Sequence, residues 1–372
     1  MKRKILFTVT NDLSYDQRMI RIATTLAQNG FDVSLIGRIK KQSISLGNEP
    51  FQQKRLGVFF SKGKLFYLEY NLRLFFFLLK NRFDIVGSVD LDTLLPCFLV
   101  AKIKRKPIVF DAHEYFTEVP EVVNRPFTKG IWKLVGNLII PRLKYAYTVS
   151  ASLQQLFSEK YKIPFQLIRN ITAEVHNLNT SKATKRQATN PIILYQGVLN
   201  KGRGLPEIIE AMSTIPMAEL WLAGEGDLST VLRTKVKKLQ LEERVKFLGY
   251  LSPKTLKEIT PKATIGLNLI DNKGLSYYYS LANKTFDYMH AGVPAIHLNF
   301  PEYQAIFKEI EIGVLIDNLK KETLINAVNL LLNDKVLYQN IQYNCLKGKT
   351  IFNWDKEALK LIEFYNEIGS SK

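Results

Sequence analysis

Short apolar runs alternate with helix-length amphipathic segments along almost the whole chain, and the alternation is interrupted by a polar stretch at residues 177–190. Apolar strands followed by amphipathic helices are what a parallel sheet demands, because helices cover both of its faces. Six strands are expected before the polar stretch, at residues 4–9, 32–37, 83–89, 107–112, 146–150 and 166–170. Six more are expected after it, at 191–197, 219–224, 245–250, 264–270, 293–298 and 312–316. The 372 residues are enough for two separate cores, one per sheet. No short-period repeat is visible, which argues against a solenoid. In open parallel sheets ligands sit beyond the carboxyl ends of the strands, so the loops after strands are the place to look for chemistry, at two edges facing one another across a cleft.

Composition narrows the class. A hydrophobic content of 46% excludes long disorder. The two cysteines, Cys97 and Cys345, lie far apart and outside any CxxC or Cys/His cluster, so neither a disulfide framework nor a zinc site is signalled, and a cytoplasmic setting is expected. The amino-terminal residues read as a first strand, not a signal peptide. No apolar run reaches the roughly 20 residues of a membrane span, which limits any membrane contact to a peripheral one. Net charge is +18, and the first 165 residues hold 26 Lys/Arg against 13 Asp/Glu. Residues 54–82 interleave Lys62, Lys64, Arg73, Lys80 and Arg82 with Phe59, Phe60, Phe66, Tyr67, Phe75, Phe76 and Phe77. Two readings stand: a core helix with solvated lysines, or a surface for an anionic membrane, where each base contributes about 1 kcal/mol. Nucleic acid is not expected as a partner.

Residues 276–296 join a polar loop to a short helix and then a strand. A helix starting near Asn283 would leave the N–H groups of Leu281, Ala282 and Asn283 unpaired as an anion site, and Asp287 one turn on could accept from sugar or ribose hydroxyls. An amphipathic core helix with an ordinary N-cap explains the same residues. Gly197, Gly202 and Gly204 with Lys201 and Arg203 follow the strand at 191–197, and Gly224 follows the next; such loops approach phosphate closely, and the cations neutralise it. In the first half, Asn11, Asp12, Asp16 and Arg18 follow the first strand, with Asp16 placed to cap a helix. Asp111, His113 and Glu114 leave the strand at 107–112; His113 either meets a substrate hydroxyl or a developing charge, or is a packed histidine. His176, His290 and His297 rank below it. Asp90 and Asp92 form an Asp-Leu-Asp pair opening a helix, where Asp92 is expected as an N-cap and no metal is expected.

The block Leu281, Ala282, Asn283, Lys284, Thr285, Phe286, Asp287, Tyr288, Met289 resembles the Leu-Pro-Asn-Lys-Leu-Phe-Glu-Tyr-Met segment in a branch of glycosyltransferase family 4. Much of that family carries two Glu residues separated by seven others; Asp287 stands at the second position and Tyr279 at the first. Arg203 and Gly204 align with the family's Lys-Gly pair, while Val198 stands at an earlier Arg. The resemblance implies an α/β GT-B fold: two Rossmann-like domains facing across a cleft, with a carboxyl-terminal helix crossing back to the first. It divides the chain into an acceptor domain (1–170), a linker (171–190), a donor domain (191–352) and the returning helix (353–372). It implies a retaining, metal-independent transferase of hexosyltransferase type that takes a nucleoside-diphosphate sugar as co-substrate and needs no further cofactor. Expected catalytic residues are His113, Arg203 and Lys284; donor-binding residues are Gly197, Lys201, Gly204, Gly224, Leu281, Ala282, Asn283 and Asp287; acceptor-side residues are Asn11, Asp12, Arg18 and Glu114. The expected acceptor is a lipid-linked or cell-surface saccharide, met at the inner face of the plasma membrane. Competing readings are a nucleotide-sugar epimerase or hydrolase of the same fold, and a non-catalytic basic protein that binds polyanions.

Overall fold

A computed structural model describes residues 2–41, 43–172 and 190–369. The chain divides into two compact units, Met1–Asn170 with Asp355–Lys372, and Ile171–Trp354. His176 and the polar stretch expected as a linker, except Asn190, lie outside the described residues.

The first unit is built on seven parallel strands: β1 (Lys4–Thr8), β2 (Asp32–Arg38), β3 (Gln52–Leu56), β4 (Ile85–Val89), β5 (Ile108–Ala112), β6 (Tyr145–Thr148) and β7 (Gln166–Leu167). Their order is β3-β2-β1-β4-β5-β6-β7. β1 is central because it is apolar on both faces: Ile5, Leu6 and Phe7 are all buried, and Phe7 registers with Leu35 on one side and Gly87 on the other. β3 was not expected from the sequence. Its run Gln52, Gln53, Lys54, Arg55, Leu56 has no apolar alternation because it is an edge strand with little to bury, held by its ladder to β2. Residues 54–82 are therefore not one amphipathic segment; they comprise the end of β3, a loop and the helix Gly63–Lys80.

The second unit holds β8 (Ile192–Gln196), β9 (Glu219–Ala223), β10 (Val245–Gly249), β11 (Ile265–Asn268), β12 (Ala295–Leu298) and β13 (Gly313–Ile316), also parallel, in the order β10-β9-β8-β11-β12-β13. Alternation along β8 feeds two cores: Ile193 and Tyr195 pack with Leu267 and Phe286 on one face, Ile192 and Leu194 with Tyr288 on the other. Each such fully buried side chain contributes about 1.5–3 kcal/mol before entropy is counted.

In both sheets the strand order reverses beside the first strand, between β1 and β4 and between β8 and β11. Loops diverge there to opposite faces and leave a crevice at the carboxyl ends.

The helix Trp354–Glu367 belongs, from Asp355 on, with the first unit. Tyr365 is fully buried with its ring 5.8 Å from that of Phe7, and Phe364 lies 5.4 Å from Tyr147. Glu357 accepts from the Arg169 amide at 2.8 Å, and the Arg3 guanidinium donates to the Ile368 carbonyl.

Candidate functional site

At the carboxyl end of β8, Gly197 has φ +128°, and its amide donates to the Ala223 carbonyl at 2.9 Å. A Cβ added at Gly224, which follows β9 with φ +148°, would fall 2.0 Å from the Gly197 carbonyl oxygen. The two loops therefore touch backbone to backbone, and only glycine permits it. Further along the first loop, Gly204 takes the left-handed conformation (φ +62°) and opens the helix Leu205–Met212.

Two cations converge on these loops. Lys284 leaves the first turn of the helix Asn283–His290, and its Nζ lies 3.9 Å from the centroid of the Tyr195 ring; a Cβ on Gly197 would come within 3.4 Å of it. Arg203 stacks on Tyr277 at 4.8 Å, and its buried Nε has no partner among the described residues. Burial, and then the charge of Arg203, push the Lys284 ammonium well below the usual lysine range, with Asp287 pulling the other way. Gln196 donates to Asp287 Oδ2 at 2.7 Å, and Thr172 donates to Oδ1. Asp287 is thus fixed in place by two donors, one on each carboxylate oxygen.

Ala282 is the N-cap residue of the helix Asn283–His290 and supplies no side-chain cap. The expected set of free amides needs one correction: the Ala282 N–H donates to Tyr303 Oη at 3.3 Å, because the helix Pro301–Glu309 brings that phenol against the loop. Leu281 is buried. Residues 276–282 are also not simply an irregular loop, since Leu275–Tyr278 forms one helical turn that ends at Tyr279. Lys201 is exposed in the turn after β8.

The first unit gathers a different set at the same topological position. His113, just beyond β5, has its Nε2 3.0 Å from Asp111 Oδ2, and its amide donates to Asp90 Oδ1 at 2.9 Å. Its Nδ1 lies 3.9 Å from Asp90 Oδ2. Asp90, at the end of β4, has φ +56° and ψ −177°, a conformation that costs a non-glycine residue about 1–3 kcal/mol. Its amide donates to the Asp111 carbonyl at 2.9 Å, one of the bonds holding it there. Burial works most strongly against a charged His113 and Arg18 opposes it too, but the charges of Asp111 and Asp90 and the Asp111 hydrogen bond together raise the imidazole above its ordinary 6.5. Burial would raise the Asp111 carboxyl, yet Arg18 and then His113 hold it below 3.8. Asp92 is pushed up to about 6 by burial, against a hydrogen bond from Thr10. A depression beside His113 is lined by Asp90, Leu91, Glu114, Tyr115 and Phe116.

Two of the expected acceptor-side residues sit beneath this surface. Arg18 is only 5% exposed and donates to Asp111 Oδ1 at 2.9 Å, because the helix Gln17–Gln28 turns it inward; it orients the carboxylate that holds His113 and does not reach the surface. Asp12 is buried too: Arg55 donates to its Oδ1 at 2.7 Å and Ser43 to Oδ2, so it braces the loop after β1 against β3. Asn11 is exposed and donates to Asp16 Oδ2 at 3.3 Å, while Asp16 caps the helix Gln17–Gln28. Glu114 is exposed at the rim. Asp92 is not an N-cap: Thr93 occupies that position for the helix Leu94–Lys104, and Asp92 instead accepts from Thr10. His290 bonds the Phe352 carbonyl at 2.6 Å. His297 is buried in the core with its pKa lowered to about 3 by desolvation.

Sequence reasoning passed over Gln196, Tyr195 and the role of Asp90 beside His113. All three lie at or next to the carboxyl end of a strand flanking a reversal point, which was the signal available.

Solved structures share this architecture. Sucrose-phosphate synthase from Thermosynechococcus elongatus superposes with a TM-score of 0.82 at 17% identity over 100% of both chains. Anabaena Alr3699/HepE, in complex with UDP and glucose, gives 0.76 at 16% identity over 98% of this chain and 99% of that one. The fold is GT-B. Residues 17–172 match the family described as Glycosyltransferase Family 4, and residues 178–347 the one described as Glycosyl transferases group 1. The chain belongs to the GT-B glycosyltransferases of family 4 type. An uncharacterized glycosyltransferase of Methanocaldococcus jannaschii is 24% identical over 206 residues, 54% of this chain. The match spans about half of that relative, 51% of its length.

Proposed function

We propose that this protein transfers a sugar from a nucleoside diphosphate to an acceptor hydroxyl. The observation that carries the reading is the pair Arg203 and Lys284, two mutually repelling cations set against glycine loops at the β8 and β11 reversal point. A diphosphate there would relieve the repulsion and favour the charged form of Lys284. Because the charge on the leaving diphosphate grows as the sugar bond breaks, fixed cations stabilise the transition state more than the ground state. Lys201, Gly197, Gly204, Gly224 and the amides of Leu281 and Asn283 line the diphosphate, and Asp287 accepts from the nucleotide's ribose. The Ala282 amide is already engaged.

His113 serves the transferred sugar: the imidazolium, oriented by Asp111 and Asp90, donates to a sugar or acceptor hydroxyl, with Glu114 and Asn11 on the acceptor side. The reaction retains configuration at the anomeric carbon, needs no metal, and takes a hexose. UDP-sugars are the first donors to try, given the UDP and glucose bound to the Anabaena relative. The acceptor is a lipid-linked or cell-surface saccharide in polysaccharide synthesis at the inner face of the plasma membrane.

Thermal shift against a panel of nucleotide sugars tests donor binding, since a ligand of the native state raises its melting temperature. Donor turnover is then measured with and without saccharide acceptors. Acceptor-dependent release of the nucleoside diphosphate is expected. Acceptor-independent turnover would assign the chain to the epimerases or hydrolases, and no donor binding at all would leave a polyanion-binding protein.

A further inference from the structure

The helix Gly63–Lys80 is apolar on two opposite faces, only one of which is covered. Phe66, Tyr70, Leu74 and Leu78 are buried, while Leu65, Leu68, Leu72 and Phe76, spaced three, four and four apart, are exposed, Phe76 by 57%. A globular helix normally reserves one face for water. The next helix repeats the feature: on Leu94–Lys104 the exposed residues are Leu95, Leu99 and Ile103, the last 61% exposed. A third stripe, Phe127, Ile131, Leu134 and Leu138, runs along Pro126–Ile139, with Phe127 66% exposed.

The three helices are neighbours. They connect β3 to β4, β4 to β5 and β5 to β6, and right-handed crossovers running in one direction across a sheet fall on the same side of it. Tyr67 and Trp132 pack edge to face at 5.4 Å, and Lys64 Nζ sits 4.0 Å above the Phe127 ring. The charge on this layer is one-sided: the three helices carry Lys64, Arg73, Lys80, Lys102, Lys104, Lys129 and Lys133 against a single acid of their own, Glu69, and of the lysines Lys129 pairs with Glu118, outside the three helices, at 2.8 Å. Glu69 is itself occupied, accepting from the Phe59 and Phe60 amides and pairing with Arg73 at 2.8 Å.

We propose that this three-helix face docks on an anionic lipid bilayer, its apolar stripes entering the headgroup and acyl boundary and its lysines and arginines meeting lipid phosphates. Charge selects the occupant. A second copy seated on the same face would oppose one set of cations to another, whereas an anionic bilayer answers both the apolar area and the positive charge. The proposal extends the lipid-linked acceptor reading but is tested by binding alone, so that either can fail without the other.

The experiment is sedimentation of the full chain with phosphatidylcholine vesicles, with or without about 30 mol % phosphatidylglycerol, at low and high salt. At low salt, binding to the anionic vesicles should exceed binding to neutral ones by roughly tenfold or more and weaken as salt rises. The triple variant Leu68→Gln, Leu72→Gln, Phe76→Gln should lose roughly tenfold of that binding with an unchanged thermal melt, because all three side chains are already exposed. A separate variant, Lys64→Gln, Lys102→Gln, Lys133→Gln, should remove the preference for anionic lipid. Equal binding to both vesicles, no binding, or a triple variant that binds like the parent overturns the proposal. So does a concentration-dependent dimer by light scattering that the triple variant abolishes, which would give the face to a second copy.

Discussion

The two sheets reverse strand order at equivalent points, yet what stands there is opposite in charge. In the first unit, Asp90, Asp92, Asp111 and Glu114 surround His113, with one arginine buried beneath. In the second, Arg203 and Lys284 meet above glycine loops, with Asp287 the carboxylate set beside Lys284. Topology fixes where a ligand can sit, and side chains fix its sign. One pole sets carboxylates around a histidine and favours its charged form; the other leaves cations under-compensated.

The sharpest way to break this contrast is at Asp111. Asp111→Ala strands the buried Arg18 charge and should destabilise the protein by about 3–5 kcal/mol in urea unfolding. A loss below 1 kcal/mol would mean that the pair is not the foundation of the His113 cluster. Next comes Arg203→Ala, which should lower acceptor-dependent turnover roughly 10²- to 10³-fold while leaving the melting temperature nearly unchanged. Unaltered turnover would remove the cationic pole from catalysis. Gly224→Ala is expected to cost about 1–3 kcal/mol from backbone conformation alone, with more from the overlap with Gly197, and to weaken donor binding in the same calorimetric scan. A melting curve matching the parent would show that the two loops are not in contact.

The smallest effect is a pH slope. The His113 pKa is raised on folding, so its contribution to stability is fully present below its unfolded value of 6.5 and is lost as pH rises through the higher folded value. Asp111, Asp90 and Arg18 are the charges facing it. In His113→Asn, stability measured across that range should lack this decline. A mutant slope identical to the parent's would place the titration elsewhere.

Much of this was legible in the residues. Twelve of the strands announce themselves as apolar runs, and the order of the glycine loop, the Gly224 loop and the block 281–289 locates the cationic pole. β3 was hidden because an edge strand need not be apolar. Arg18 and Asp12 look like surface ligands in sequence, since charged residues after a strand usually face solvent; only burial beside Asp111 and Arg55 reveals them as supports. Tyr303 lies 21 residues from the amide it occupies, and no local pattern could connect them.

Sequence alone determined the alternation of strand and helix, the two sheets and the loops that bear chemistry, because those follow from local periodicity and glycine's backbone freedom. Tertiary structure decided which charges are exposed, which are paired, and how far Lys284 and His113 are shifted. Desolvation and charge-charge energies depend on distances between residues far apart in the chain, and those distances exist only once the sheets have assembled.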